Sequence, residues 1–244
     1  MEPQNVILQN LGTRSYQPVW DYQEELLQKN LKEKAVWYQA GSPAPGANTT
    51  HYLLLCEHPP VYTLGKSGQP EHLLVSEQEL AIQGIEYYKI NRGGDITFHG
   101  PGQIVGYPIL DLERFYTDIG RYLRNLEEVI IRVLAHYGIL GARSAGETGV
   151  WIDPDKPGQE RKICAMGVRC SRWITMHGFA FNVNTPLHYF EQIIPCGIVN
   201  KQVTSLEKEL GHSVPMEEVI LLVQQAFESV FQVKLIAEYT GPDR

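Results

Sequence analysis

Cys196 is the residue of this chain whose setting points most directly to chemistry. It stands between Pro195 and Gly197 in the segment IIPCGI, residues 193–198. Proline fixes a backbone angle on one side of the thiol and glycine frees the backbone on the other. A structural cysteine usually packs as a small apolar residue inside an element. The pattern therefore favours a thiol presented on a turn for another molecule to reach.

A nucleophilic cysteine needs a base or a cation beside it, because the thiolate is the reactive form. Lys162 begins a strand-like run in RKICAMG, residues 161–167, although a lysine at a strand start is more often a solvated edge residue. Histidine is the usual partner, and the available histidines are His99, His177 and His188. From the residues alone, His177 competes with Lys162 and both stay open.

The densest glycine cluster is RGGDITFHGPGQ, residues 92–103. It is either a hairpin turn or a place where a ligand approaches the backbone closely, because glycine leaves room that a side chain would fill. The glycines precede a strand and do not open a helix, so the cluster is not a dinucleotide fingerprint. GKS at 65–67 resembles the end of a phosphate-binding P-loop, but Pro60 stands where that loop requires glycine.

Composition narrows the class of protein. The formal net charge of −7 argues against nucleic-acid binding through a broad basic surface. No apolar run approaches the roughly 20 residues of a membrane span, and the first residues do not resemble a signal peptide, so we expect a cytoplasmic protein without a membrane partner. No two of the four cysteines have the spacing of a zinc or redox motif. No metal site is expected.

Hydrophobic spacing predicts helices around Leu26 and Leu31, over 119–137 before Gly138, and over 219–230. A capping box predicts a short helix from Ser76, with Glu79 as its partner, to Gly84, and Thr185-Pro186 predicts the start of another. Strand-like runs are HYLLLCE, EYYKI, DITFH, IVGYPILDL, GVWID, KICAMGVRC and WITMHGFAFNV.

Several of these strands follow one another without an intervening helix, which predicts an α+β fold with a mixed or antiparallel sheet. We expect one domain over residues 1–244. The loop-like inserts 41–50 and 153–160 each lie between strand-like runs, so both are predicted to be long hairpin loops.

Three stretches taken together resemble the lipoyl/octanoyl transferase family of the lipoate-protein ligase B type. They are CEHPPVYTLGKSG, RGGDITFHGPGQIVGYPILDL, and KICAMGVRCSRWITMHGFAFNVN followed by IIPCGI and VTSL. The resemblance runs from about residue 5 to about residue 210, in the family's order, and is much more specific than any single glycine motif.

The resemblance implies the fold of biotin and lipoate protein ligases, a largely antiparallel mixed sheet flanked by helices. It implies octanoyl (or lipoyl) transfer from octanoyl-acyl carrier protein to a lysine of lipoyl domains, in 2-oxoacid dehydrogenase complexes and the glycine cleavage H protein, without ATP or metal. It makes Cys196 the acyl-accepting nucleophile and Lys162 its partner. The substrate-binding residues that it implies are Arg92, Gly93, Gly94, Asp95, Ile96, Thr97, Phe98, His99, Ala165, Met166, Gly167, Gly178, Phe179 and Ala180.

Three other functions compete with this interpretation. An ATP-dependent lipoate or biotin ligase on the same fold would need no nucleophilic cysteine. A non-catalytic acyl-binding protein would need neither Cys196 nor Lys162. A papain-like hydrolase that used Cys196 with His177 would release the free acid, whereas a transferase would make an amide.

Overall fold

A computed structural model describes residues 3–41, 48–194 and 202–238 of the 244-residue chain. Its main sheet has the strand order β12-β1-β2-β6-β10-β9-β8-β7, and β11 pairs with β9 outside this order. The twelve strands of the described chain are β1 (Gln4–Thr13), β2 (His51–Glu57), β3 (Val61–Leu64), β4 (Glu86–Lys89), β5 (Ile96–His99), β6 (Gln103–Ile109), β7 (Gly141–Ser144), β8 (Glu147–Ile152), β9 (Arg161–Ser171), β10 (Ile174–Asn182), β11 (Gln202–Val203) and β12 (Val233–Ala237).

The main sheet is mixed but mostly antiparallel. β1 runs parallel to β2 and β12, and β11 runs parallel to β9, whereas the other neighbours are antiparallel. The predicted α+β class with a mixed, largely antiparallel sheet is therefore confirmed. The assignment of all of residues 1–244 to one catalytic domain stays a prediction.

Helices cover both faces of this sheet. The helices are α1 (Tyr16–Gln39), α2 (Glu77–Gln83), α3 (Ile119–His136), α4 (Leu206–Leu210) and α5 (Met216–Phe231). The apolar faces of α3 and α5 pack with Leu53, Leu55 and Phe181 on one side of the sheet. Helix α1 packs on the other side. Of the helices in the described ranges, none combines the length and the apolar content that a membrane crossing requires.

A second sheet has the order β4-β3-β5. β4 runs parallel and β5 antiparallel to β3, which lies between them. The glycine segment at residues 92–95, called the RGG turn below, therefore crosses from one side of β3 to the other. The hairpin interpretation of this segment is wrong, because the strands that it joins do not pair with each other.

Local sequence signals predicted the bounds of helices α2 and α3 to within about one residue. Ser76 accepts the N–H of Glu79, the Glu79 carboxylate accepts the N–H of Ser76, and Gly84 ends α2 in the left-handed region. The insert 153–160 joins β8 to β9, which pair antiparallel, so that hairpin is confirmed. The insert 41–50 instead follows helix α1, so the prediction of a hairpin there is wrong.

The prediction for Thr185-Pro186 needs correction. The short helix is a 3₁₀ helix, Leu187–Gln192, and Pro186 precedes it. The Thr185 hydroxyl donates to the carbonyl of Gly102 and does not cap the helix. This contact ties the start of the helix to the loop between β5 and β6.

Candidate acyl-transfer site

A cavity of about 520 Å³ lies where the RGG turn meets strands β9 and β10. The volume is within the range of pockets that hold small ligands, about 300–1,000 Å³. All but one of the predicted substrate-binding residues line it, namely Arg92, Gly93, Gly94, Asp95, Ile96, Thr97, His99, Ala165, Met166, Gly167, Gly178, Phe179 and Ala180.

Phe98 is the exception. Its side chain is fully buried, and its ring stacks on that of Tyr189 with 4.5 Å between centroids. It belongs to the core of the small sheet, with Tyr62 and Phe190 beside it. Alternation along β5 separates Phe98 from Thr97 and His99, because neighbouring residues of a strand point to opposite faces. Ile96, on the same face as Phe98, also belongs to the small core.

Glycines allow the RGG turn to reach strand β9. The N–H of Gly93 donates to the carbonyl of Val168 over 3.0 Å. A Cβ atom on Gly167 would lie 2.7 Å from the carbonyl oxygen of Gly93, and one on Gly65 would overlap the carbonyl oxygen of Gly94. Side chains at these positions would push the turn away, so the cavity wall depends on glycine.

Arg92 places a fixed positive charge in this wall. Its guanidinium is buried and donates to the Thr63 carbonyl at 2.8 Å, to the Thr63 hydroxyl at 3.1 Å and to the Gly93 carbonyl at 3.0 Å. These bonds tie the turn to β3. They hold the charge next to the space that a ligand would occupy.

His99 is braced by the network behind the turn. The Gln103 amide donates to the carbonyl of Phe98 and to the side chain of Asn182, so the Gln103 oxygen, 2.9 Å from His99 Nδ1, accepts the Nδ1–H. Burial and the neighbouring His58 ring lower the pKa of His99 to about 3. The ring is therefore neutral, and its Nε2 atom carries no proton to donate to an acyl carbonyl.

His177 also lines the cavity and is almost completely buried. Its Nε2 lies 2.9 Å from the side-chain oxygen of Asn91, to which it donates. Burial and the charge of Arg92 lower the pKa of His177 to about 3. Its φ of +60° is unusual for a residue with a side chain. Held this way, His177 is a poor acceptor for a thiol proton.

Lys162 lines the same cavity, near the beginning of β9. Its Nζ atom lies 4.6 Å from the centroid of the Trp151 ring, which is a cation–π contact. Its stem passes over Gly149, where an added Cβ would lie 3.6 Å from Cδ and Cε. From the sequence, Lys162 could be a solvated residue at the edge of a sheet. In the structure its side chain lies across the neighbouring strand β8.

Cys196 falls outside the described residues. The described chain stops at Ile194, whose N–H donates to the His72 carbonyl, and resumes at Gln202, which pairs with Arg161. The N–H of Thr204 then donates to the carbonyl of Lys162 over 2.9 Å. The part of the chain described from Gln202 onward thus pairs with the main sheet beside Lys162.

Sequence reasoning did not find three fully buried aromatic or apolar residues of the cavity. Tyr16 enters from the start of α1, Tyr107 and Val105 enter from β6, and all are buried. The Tyr107 hydroxyl lies 2.8 Å from His58 Nε2, while His58 Nδ1 donates to the Arg14 carbonyl. No local motif marks these residues, because long-range pairing alone brings them to the cavity.

Metal ligands are not grouped in this site. Within residues 3–41, 48–194 and 202–238, no three His, Cys, Asp or Glu side chains are arranged to hold an ion. The residues that face the cavity instead combine apolar surface with Arg92, Lys162, Asp95 and Glu147.

Residues 15–228 match the model of the lipoyl protein ligase A/B catalytic domain. This chain belongs to that family. An octanoyltransferase of Christiangramia forsetii is 55% identical over 94% of this chain and 97% of its own length. An octanoyltransferase of Flavobacterium johnsoniae is 56% identical, with the same coverage. The predicted resemblance to octanoyltransferases is confirmed.

Solved structures of lipoyl protein ligases support the fold. A bipartite lipoate protein ligase from Thermoplasma acidophilum superposes with a TM-score of 0.68 and 15% identity, covering 99% of this chain and 89% of its own. A lipoate-protein ligase A bound with ATP gives 0.66 and 14%, covering 99% and 90%. The predicted ligase-type fold is confirmed, and at these identities the likeness concerns the fold alone.

Proposed function

We propose that this chain is an octanoyltransferase that works through an acyl thioester on Cys196, with Lys162 as the group that moves the proton. The donor in this proposal is octanoyl-acyl carrier protein. The acceptor is a lysine of a lipoyl domain, in a 2-oxoacid dehydrogenase complex or the glycine cleavage H protein. The observation that carries the proposal is that Lys162 shares one cavity with the RGG turn and the Gly178–Ala180 segment, in a chain 55–56% identical to octanoyltransferases.

The first step is a thioester exchange. The Lys162 amine takes the thiol proton, because a free amine binds a proton more tightly than a free thiolate does. The Cys196 sulfur attacks the acyl carbonyl, and the bond to the carrier's sulfur breaks. The leaving thiolate takes the proton back from Lys162. One thioester replaces another, so the step needs little free energy.

The second step makes the amide. The neutral lysine amine of the acceptor attacks the acyl-Cys196 carbonyl, and the carbon–sulfur bond breaks. Lys162 accepts the amine proton and passes it to the Cys196 thiolate, which restores the thiol. A thioester lies above an amide in free energy, so this step proceeds without ATP, and no metal takes part in the proposal.

The cavity suits an acyl chain in shape and in polarity. Ala165 and Ala180 face each other in the β9–β10 pair, and Gly167 faces Gly178. Small side chains in two successive rows leave a shallow channel along the sheet. Met166 and Phe179 alternate with these residues along the strands and add apolar lining from the other face of the pair. A hydrocarbon chain gains free energy by leaving water for such a channel.

The ATP-dependent ligase alternative is not favoured. Relatives at 50–56% identity over most of this chain are octanoyltransferases, whereas the ligase structure bound with ATP shares 14% identity. A ligase would modify an apo lipoyl domain with free octanoate, ATP and magnesium, whereas the proposed transferase would not.

Intact-protein mass spectrometry tests the proposal. The parent chain, mixed with octanoyl-acyl carrier protein, is expected to gain the mass of one octanoyl group and to lose it when an apo lipoyl domain is added. The Cys196→Ser variant should gain no thioester. Cys170→Ser is the matched control, because Cys170 is exposed and lies outside the cavity lining, and it should react as the parent does. A thioester adduct, removed by neutral hydroxylamine, that survives Cys196→Ser would overturn the proposal.

A further inference from the structure

The backbone of Gly149 forms the surface on which the Lys162 side chain lies. Gly149 has a φ of +121°, and an added Cβ would lie 2.6 Å from the Cys164 carbonyl and 3.6 Å from Cδ and Cε of Lys162. The register between β8 and β9 shifts here, between the pairs that Val150 and Trp151 make. The position of this glycine therefore sets where the lysine stem can rest.

Glu127 holds Gly149 in this position. Its Oε1 atom accepts the N–H of Gly149 over 3.0 Å, although Glu127 lies on another element, helix α3. Its Oε2 atom accepts from Arg124 at 2.8 Å and from Arg143 at 3.1 Å. The side chain is completely buried. Burial raises the pKa of Glu127, while the Gly149 N–H and the two arginines oppose that rise.

A buried carboxylate at this position lowers the stability of the fold unless its charge is paired. The neighbouring buried residues of α3, such as Leu126 and Ile130, are apolar and pack into the core. The carboxylate accepts the backbone N–H of Gly149 at the point where strand β8 passes beneath Lys162.

We propose that Glu127 is a positioning residue for Lys162, acting through the Gly149 N–H. The inference rests on the proposed role of Lys162 as the proton-moving partner of Cys196. When Gly149 is held, the lysine stem lies over the strand and its amine over the Trp151 ring. When that hydrogen bond is lost, the strand shifts and the amine leaves its place over the Trp151 ring.

Two variants at adjacent positions test this contact. Glu127→Asp keeps the carboxylate but shortens it by one methylene, so it withdraws from the Gly149 N–H. Glu128→Asp is the matched control: Glu128 is the next residue of α3 and pairs with Arg132 and Arg143, but it accepts nothing from Gly149.

Two readouts report on the site. One is the rate at which octanoyl-Cys196 forms, and the other is the pH dependence of Cys196 alkylation by iodoacetamide, followed on the peptide that contains it. For Glu127→Asp we expect acylation at least about tenfold slower and an alkylation midpoint at higher pH, in the direction of Lys162→Ala. Glu128→Asp should stay within about twofold of the parent. Thermal unfolding records stability separately.

A purely structural role would lower the unfolding temperature and leave the alkylation midpoint unchanged. Parent values for Glu127→Asp in both readouts would overturn the inference, and so would an equal loss in Glu128→Asp and Glu127→Asp. Failure of the proposed function looks different: the parent itself would then form no adduct, and Lys162→Ala would not move its alkylation profile.

Discussion

The histidine rings at the cavity are held neutral by burial. The pKa of His99 and of His177 falls to about 3, and each ring donates its one proton to a side-chain oxygen, on Gln103 and on Asn91 respectively. A ring that resists protonation this strongly is a weak base at neutral pH. This favours Lys162 over His177 as the partner of Cys196, a choice that the sequence left open.

Replacing Lys162 tests that choice directly. In Lys162→Ala we expect octanoyl-Cys196 formation to fall at least about a hundredfold, since the thiol loses the group that takes its proton. The fold should survive, because Lys162 is partly exposed. Acylation rates by quenched intact mass, with circular dichroism for the fold, measure both.

Lys208→Ala is the control for the loss of a lysine. Lys208 is exposed on α4, a short way along the chain from β11, and its variant should acylate at the parent rate. Full activity in Lys162→Ala would remove Lys162 from the mechanism and return attention to the histidines.

At the scale of elements, the cavity forms where the RGG turn packs against strand β9. The turn contacts the part of β9 that lies beyond its pairing with β8. The pairing of β8 ends at Cys164, and the Gly93 N–H bonds to Val168 further along β9. The turn thus takes the place of a neighbouring strand. Small residues on both sides decide how closely it can sit.

Gly167→Ala tests this docking. The new Cβ would meet the Gly93 carbonyl at 2.7 Å and Arg92 Cδ at 3.0 Å, and a backbone oxygen cannot move aside cheaply. We expect a loss of roughly 1–3 kcal/mol in the free energy of unfolding and acylation slower by about tenfold or more. Urea unfolding and acylation rates measure the two effects.

The comparison variant is Gly120→Ala, in the first turn of α3, where the added methyl lies 3.3 Å from Asp118 Oδ1. Alanine favours helix over glycine by up to about 1 kcal/mol, so stability should hold or rise. A Gly167→Ala protein as active as the parent would show that the turn tolerates displacement.

Helix α1 is fixed by a buried ion pair. Lys34 Nζ lies 2.9 Å from Asp111 Oδ1 and 2.8 Å from the Arg172 carbonyl, with both charged side chains almost completely buried. The same helix brings Tyr16 into the cavity at its other end. The pair therefore anchors the element that closes this part of the site.

Lys34→Met should destabilise the chain by about 3–5 kcal/mol, because it leaves the Asp111 carboxylate buried without its cation. Urea unfolding measures the change. Lys32→Met, on the exposed side of the same helix, should alter stability by less than about 0.5 kcal/mol. Adding Asp111→Asn to Lys34→Met should recover part of the loss, and a loss no larger than that of Lys32→Met would contradict the anchoring role.

At the scale of the whole molecule, the sequence predicts what depends on near neighbours. The Ser76–Glu79 capping box, the end of α3 near Gly138, and the strand at 51–57 follow from signals within a few residues. The family resemblance then supplied most of the cavity lining, which spacing alone would not have joined.

Long-range contacts account for what the sequence did not predict. The edge strand β12 pairs in parallel with β1 across most of the chain, and the Glu127–Gly149 bond joins residues of different elements. Phe98 was predicted to bind the substrate, but alternation along β5 directs its side chain into the core of the small sheet. Such contacts depend on register and packing, which no short window of residues contains.

Acid stability is a property of the whole molecule, because buried histidines recur through it. The pKa of His58 falls to about 4, and those of His51, His99 and His177 fall to about 3, in each case chiefly through burial. An unfolded histidine binds a proton below about pH 6.5, whereas these folded ones do not until near pH 3–4. Between those limits the unfolded chain binds more protons, so the free energy of unfolding falls as pH falls.

Each such histidine adds about 1.4 kcal/mol per pH unit to this slope below about pH 6. We expect urea unfolding between pH 7.5 and 5 to show a steep loss of stability, in a window above the range where carboxylates titrate. In His58→Gln the slope should decrease by about 1.4 kcal/mol per pH unit, since glutamine can donate to the Arg14 carbonyl without gaining a proton. His212→Gln, at an exposed position, should keep the parent slope. Equal slopes for His58→Gln and the parent would mean that His58 is not held neutral in the folded chain.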